Sequence, residues 1–499
     1  MFEVETKSVE NQNLSQEKSN VDVALEVLGD LDHVEYTPQE EKKVLLKIDL
    51  HLMTFMIGSY ILQFLDKNAL SNSSVFGLLD DLHLEGQQYS WAGSIFYFGY
   101  LIGQPISSRC FQWFSISKYV GACLVTWSVI LVCTAAAHNF AGLACIRFFL
   151  GVCEATVSPA WVILTSMWYK KTEQPVRVAI WYCGNAIGVI FGGLIAYGLG
   201  HIKSNIASWK WFYIIYGIIT FFWGIIIFFF LPESIASCKF LNEREKLVAI
   251  ERIRENKTGI KNNTFKWDQC KEAFLDPQVW LLVLIEFVGC LPAGGIQNFG
   301  NLILQSFGFT SFQTVLINMP SGVIQGLFLI FCGIIVGIVP NSACNVQSIA
   351  MFPCIIGTAL LHKLPNHPNS TRAGKLVAFW IQYANTASDV GIFTLMTRNI
   401  SGFTKKTVSG AMIFVAYCVG MIAAPQFFKT SQAPGYEEGF RMMMVTWALL
   451  VFLPQILRLY YKRENKRRDK LMNEEPKEID EEEFQDLTDM QQRGFRYIT

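Results

Sequence analysis

Six ionisable side chains sit inside otherwise apolar stretches. They are Asp66 and Lys67 in LQFLDKNALSNSS, Arg147 and Glu154 in IRFFLGVCEATVSP, Glu286, and Asp389. A charge at the centre of a bilayer costs about 2.5–3.5 kcal/mol on insertion scales, so each needs a physical reason. On a helix rising ~1.5 Å per residue, Arg147 and Glu154 lie two turns and ~10 Å apart on nearly one face. That spacing excludes a direct ion pair and requires partners on another helix, in water or in a ligand. Asp66 and Lys67 are adjacent, so their side chains diverge by about 100°. The four groups together are neutral, which burial favours. Two carboxylates beside two cations also hold or release a proton as the cations change partner. An anion engaging Lys67 or Arg147 takes a cation away from its carboxylate and favours proton uptake there, so anion and proton binding become linked. The competing reading is a fixed interhelical brace. Glu286 and Asp389 carry no assigned role.

Polar and aromatic residues on neighbouring segments complete an expected cavity: Tyr97, Tyr100 and Gln104, then Asn185, Gln297 and Asn298, then Gln382 and Asn385. Each alone is more often a helix–helix hydrogen bond than a ligand contact. The expected substrate-binding set is Lys67, Arg147, Tyr97, Tyr100, Gln104, Asn185, Asn298 and Asn385. Asp66 and Glu154 are the expected proton-coupling acids.

Other chemistries lack their residues. There is no G-x-x-x-x-G-K-[ST] phosphate loop, which argues against an ATP-driven pump. The His and Cys residues show no H-x-x-H or C-x-x-C spacing, so neither a metal site nor a disulfide frame is expected. No nucleophile–base set emerges, and an enzyme is the least favoured class. No cofactor and no nucleic-acid partner is expected.

The elements that must position these groups follow from composition. The 499 residues are 52% hydrophobic and only 16% charged, against about 25% charged in a soluble domain. The apolar residues fall in blocks of about 20, the length a bilayer-spanning helix needs. Twelve spans are expected, near 50–70, 88–108, 118–137, 140–168, 178–200, 209–231, 278–303, 313–338, 343–362, 374–397, 407–426 and 438–461. The fold class is an all-α membrane protein with two six-helix halves, residues 48–231 and 277–461, joined by a linker at 232–276. Residues 1–47 and 462–499 form tails, which read as solvated and partly disordered, with no signal peptide. Many secondary transporters share this plan, with a site between two halves that rock against each other. Lys and Arg concentrate in the 2–3, 4–5, 6–7 and 10–11 connections, which puts both tails and the linker in the cytosol. The 8–9 connection, PNSACN, has no basic residue.

Three smaller features complete the reading. Leu247, Ile250 and Ile253 share one face of an amphipathic linker helix within Leu241–Lys257, lying on the membrane surface or against the base of the bundle; a merely solvated connector helix is the equal alternative. Gly184, Gly188 and Gly192 form a stripe, with Gly193 beside it, that lets a neighbouring helix approach closely. Asn72 and Asn369 stand in N-x-S/T contexts, which makes them glycosylation candidates on the outer face.

The residues carry a family resemblance. FLDKNALSNSSVFGL, QYSWAGSIFYFGYLIGQ, RFFLGVCEATVSP, the linker REKLVAIERIRENKTGIKNNTFKWDQCKEAFLD, SGFTKKTVSGAMIFVAYCVGMIAAPQFF, QAPGYEEG, RENKRRDK and FQDLTD resemble the fungal allantoate permease family. That family lies within the anion:cation symporter branch of the major facilitator superfamily, and the resemblance runs from about residue 38 through nearly the whole chain. It implies uptake of a small organic anion with protons. An acid and a cation on helix 1 and an arginine and glutamate on helix 4 would bind substrate and couple protons, matching Asp66, Lys67, Arg147 and Glu154. Many members of the branch have Arg at the Lys67 position; a Lys is a point charge rather than a planar fork. The superfamily's glycine- and arginine-rich signature is reduced here to SSRCFQWFSISK, so its gating contacts do not carry over. Substrates known in the family include allantoate, ureidosuccinate, nicotinate, vitamins, cysteine and sulfonates. The expected protein is a monomer in the plasma membrane, with the endoplasmic reticulum or vacuole as alternatives. An uncoupled facilitator or exchanger, or a non-transporting nutrient sensor, are the competing functions.

Overall fold

A peptide backbone in lipid must satisfy its polar groups within its own segment, so the apolar blocks form helices. The computed structural model describes residues 35–170, 172–254, 265–364, 369–474, 487–492 and 494–499. Helix α1 (Pro38–Ser74) opens on a capping box, in which the Thr37 hydroxyl accepts from the Glu40 N–H and the Glu40 carboxylate accepts from the Thr37 N–H. It starts ten residues before the expected end of the N-terminal tail, most of which lies outside the described residues. Then follow α2 (Gln88–Trp113), α3 (Ile116–Cys133), α4 (Phe140–Glu154 continued by Val157–Trp168), α5 (Gln174–Tyr182 continued by Gly184–Gly200) and α6 (Ser208–Phe230). The linker contributes α7 (Glu243–Arg254) and α8 (Trp267–Leu275). The second half holds α9 (Pro277–Ser306), α10 (Ser311–Ile317 continued by Met319–Ile338), α11 (Ala343–Ile349 continued by Met351–Lys363), α12 (Asn369–Trp380 and Thr386–Asn399, joined by a 3₁₀ turn), α13 (Phe403–Ala423) and α14 (Glu437–Glu474).

Ten of these rods among the described residues are long and apolar enough to cross a membrane. The two expected spans that fall short are α2 and α12. The first carries Gln104, Ser107, Ser108 and Arg109 near its end, and the second is interrupted by the 3₁₀ turn at Ile381–Asn385. Helix α4 is also interrupted, directly after Glu154. Pro159 has no N–H for the Ala155 carbonyl, which opens the ladder at that point.

Packing in the first half rests on missing side chains. A Cβ on Gly99 would collide with the Phe148 carbonyl, and one on Gly151 with the Phe96 carbonyl. Helices α2 and α4 therefore meet backbone to backbone at the level of Arg147. The α5 stripe has the packing role expected of it: Gly184 lies against Tyr60, Gly188 against Phe64 and Gly192 against Leu65, all on α1.

The halves are stapled at one end. Tyr89 donates to the Asn298 carbonyl (2.6 Å), Ser94 to the Ile422 carbonyl (2.6 Å) and Thr430 to the Gly86 carbonyl (2.7 Å). Asn301 donates to the Asn72 side chain at 2.7 Å, and Ser311 to the Val75 carbonyl at 2.6 Å. Asn72 is thus a buried seam residue, inaccessible as a glycosylation acceptor in this arrangement. The Asn369 side chain lies outside the described residues.

At the opposite end ion pairs tie the linker helix to the first half and the tail to the second. Arg252 of α7 is fully buried and binds Glu41 (3.2 Å) and Glu173 (2.7 Å), while Lys47 binds Glu245 at 2.6 Å. The linker helix lies against the base, as one of the two expected placements had it. Its most buried residues are Val248, Ala249 and Arg252; of the expected face Ile250 is buried as well, Ile253 packs against the core and Leu247 is half-buried. In the second half Lys405, fully buried, meets Asp276 (2.7 Å), Asp489 (2.8 Å) and Glu272 (2.9 Å). Asp489 belongs to the tail that reads as solvated. Residues 487–492 and 494–499 instead dock on the second half: Arg468 donates to the Asp489 carbonyl (2.8 Å), Tyr497 to the Asp489 carboxylate (2.7 Å), and Ile498 to Asn399 (2.8 Å).

Candidate functional site

Asp66 and Lys67 leave α1 in different directions, as adjacency on a helix requires. Asp66 is fully buried and turns into the first half, where Trp127 of α3 donates to its Oδ2 at 2.5 Å. Lys67 is half-buried and lies 5.1 Å from the Tyr100 ring and 5.8 Å from the Phe96 ring, both on α2. A cation over aromatic faces is held without a counter-charge bound to it.

Arg147 is 3% exposed and reaches α2, with its guanidinium 5.0 Å from the Phe96 ring and its Nε donating to the Ala92 carbonyl at 3.5 Å. Its Nη1 is buried without a hydrogen-bond partner. Glu154 is fully buried, and neither of its carboxyl oxygens has a hydrogen-bond donor. The group that faces it is the Asp66 carboxyl, with Lys67 and Arg147 as the neighbouring cations. Gln63 of α1 anchors the turn by donating to the Glu154 carbonyl at 3.3 Å. The structure therefore brings all four charges together. A buried charge is normally partnered, and three of these four (Asp66 Oδ1, Arg147 Nη1 and both Glu154 oxygens) keep unpartnered atoms.

Around the cluster runs a hydroxyl chain. Tyr100 and Tyr60 both reach the Ser158 hydroxyl, at 3.4 Å and 2.8 Å. Tyr60 packs on Trp181 and Tyr182 with centroids 4.7 Å and 6.1 Å apart, and Tyr182 donates to Asp389 across the halves at 3.4 Å. Cys290 donates to Glu286 at 3.5 Å. Tyr97 bridges the halves by donating to Gln297 at 2.9 Å.

The remaining expected ligands separate into two groups. Gln104, Asn185 and Asn385 are half-buried. Asn298 is engaged by its own helix, donating to the Gly294 carbonyl at 2.8 Å in the stapled seam. Gln382 is a fully buried structural hub that donates to Ala378 (3.0 Å) and accepts from Trp447 (3.1 Å). Trp127, Gln63, Phe96 and Ser158 were missed by sequence reasoning. Only Trp127 carries a signal, since an indole N–H buried in a span needs an acceptor.

Residues 56–425 match the model of the Major Facilitator Superfamily. The allantoate permease of Saccharomyces cerevisiae is 34% identical over 493 residues, covering 96% of this chain and 90% of that one. A thiamine pathway transporter of the same yeast is 32% identical, covering 91% and 86%. An uncharacterised transporter of Schizosaccharomyces pombe is 38% identical, covering 95% and 90%. Among solved structures, a bacterial homologue of the human lysosomal transporter Spinster, inward-facing and unoccupied, matches with TM-score 0.61 at 16% identity, covering 85% of this chain and 97% of that one. A partially occluded inward-open xylose transporter from E. coli matches with TM-score 0.60 at 12% identity, covering 81% and 96%. At those identities the structures speak for the fold alone.

Proposed function

The chain belongs to the major facilitator superfamily, and on that premise we propose that this multi-pass membrane transporter imports a small organic anion together with protons. The observation that carries the reading is the convergence of Asp66, Lys67, Arg147 and Glu154 with unpartnered atoms on three of them. Carboxylates accept hydrogen bonds and cannot donate them, so two facing carboxyls hold together only when one carries a proton. With that proton the cluster has one positive charge left over, which an anion cancels. The anion takes Arg147 Nη1, a donor without a partner, and Lys67, a cation lying over the Tyr100 and Phe96 rings. Once both cations turn to the anion, the proton on the acid pair is held more firmly, and the two ligands cross as a neutral set. When the anion leaves, the cations return to the acids and the proton is released.

The seam at Asn72, Val75, Gly86 and Tyr89 closes one end of the path. The basic connections favour placing the other end, with the linker and both tails, in the cytosol, which makes this arrangement inward-facing. Allantoate, carried by a relative 34% identical, is the first anion to try.

Uptake of labelled allantoate, nicotinate and pantothenate into yeast lacking related carriers, at acidic and neutral external pH and with a protonophore, tests the reading. Arg147→Gln should abolish uptake, and Glu154→Gln should remove its pH dependence while leaving exchange. Intact, pH-dependent uptake by Glu154→Gln would refute the assignment, and indifference to the protonophore would favour an uncoupled carrier.

A further inference from the structure

Helix α14 leaves its apolar stretch through ILRLYYKRENKRRDK. Arg458 and Lys462 lie one turn apart on it, so their side chains share a face and repel. Both line a cavity of about 740 Å³ bounded by the α10–α11 connection and the docked tail. Arg496 lines it as well, held by Asp469 at 2.8 Å. Asn341, Asn345 and Asn465 add polar groups, and no Asp or Glu side chain is among the lining residues. Arg458 Nε is buried with no hydrogen-bond partner, a donor that a folded protein normally satisfies. Elsewhere at this end of the molecule the chain meets a buried cation with its own carboxylates, three of them around Lys405. Around Arg458 it supplies none from the lining side chains.

The cavity also sits at the edge of the apolar slab. Ile338 and Val339 on one side, and Ile456 and Leu459 beside Arg458, are 74%, 48%, 50% and 67% exposed. Large apolar side chains exposed on a membrane-spanning helix face acyl chains. A free phosphate would satisfy the cations alone, whereas an amphiphile satisfies both surfaces.

We propose that this cavity, formed by the end of α14, the α10–α11 connection and residues 496–499, binds the phosphate headgroup of an anionic phospholipid. Arg458 and Lys462 hold the phosphate, Arg496 and the asparagines bound the headgroup, and the acyl chains run along Ile338 and Leu459. Basic pockets at the cytoplasmic ends of spanning helices take phosphorylated headgroups through the same charge chemistry. The site lies apart from the substrate cluster, so it stands or falls independently of the transported anion.

The test is native mass spectrometry of the purified full chain with phosphatidylinositol 4-phosphate, phosphatidylserine, phosphatidylcholine and inorganic phosphate. One anionic lipid should remain bound where phosphatidylcholine does not. Arg458→Gln with Lys462→Gln should weaken retention about thirtyfold, in line with ~1 kcal/mol for each of the two basic residues at a membrane surface. Arg463→Gln with Lys466→Gln removes the same charge from exposed positions outside the cavity and should leave retention unchanged. Lys462→Glu, at an exposed side chain, gives a second reading if the double variant fails to fold. Equal losses in the two double variants, or binding of inorganic phosphate alone, would overturn the proposal. So would stronger retention after removal of residues 496–499, since the chain itself would then have filled the site.

Discussion

The Asp66 carboxylate has one direct donor, the Trp127 indole, and a second oxygen with no partner. Trp127→Phe keeps an aromatic ring, deletes that donor and leaves a small void where the rest of the buried indole stood. A hydrogen bond to a charged group contributes about 1.5–3 kcal/mol, so the acid pair should hold its proton more firmly. The pH profile of uptake, read per folded protein at the membrane, should then move toward higher pH. An unchanged profile would mean that Asp66 takes no part in coupling. Lys405 poses a different problem, because it is buried among three acids. Lys405→Met leaves those acids uncompensated, and breaking a buried pair costs about 3–5 kcal/mol. Its melting temperature should fall well below the parent's, and protease should reach residues 487–499 under native conditions.

At the scale of helices, two contacts decide where the charges stand. Gly151 of α4 rests on the Phe96 carbonyl of α2, so Gly151→Val must push the helices apart. Such overpacking costs about 1–3 kcal/mol or more, and here it also separates Arg147 from the α2 aromatic faces. Loss of uptake should therefore exceed loss of protein at the membrane. The linker helix α7 hangs partly on Glu245, whose carboxylate accepts from Lys47 and from the Asn242 N–H. The Lys47 bond first, and the backbone bond after it, hold this carboxyl below its usual value of 4.5. A lowered carboxylate stabilises the docked helix at all pH values above that usual range and ceases to do so as pH falls through its own lower value. Protection of the α7 amides in the purified protein, taken relative to the intrinsic exchange rate at each pH, should stay high at neutral pH and fall only at pH well under 4.5. Glu245→Gln should bring the loss of protection to neutral pH.

For the whole molecule, the stapled seam predicts what must move. If the halves rock, the Val75–Ser311 contact must open in each cycle. Cysteines at 75 and 311, joined by a short bismaleimide in a background lacking the exposed native cysteines, should stop uptake while leaving the protein folded. Undiminished uptake after complete crosslinking would rule out opening at that seam.

Much of this architecture was legible in the sequence, because a bilayer imposes its thickness and its intolerance of charge on the chain directly. The apolar blocks, the helical class, and the four charges in LDK and IRFFLGVCE are local properties. Other features depended on which helix neighbours which. Nothing local says that Trp127 answers Asp66, that Asn298 belongs to the seam, or that Arg252 of an apparently solvated linker is fully buried. The tail shows the division most clearly. FQDLTD reads as acidic and solvated, yet Asp489 lies buried against Lys405, because the second half offers a buried cation around which Asp276 and Glu272 also gather. Sequence determines which groups are too costly to leave alone in lipid; only the tertiary structure decides which partner relieves each one, since opposite charges far apart in the chain meet only after the helices have packed.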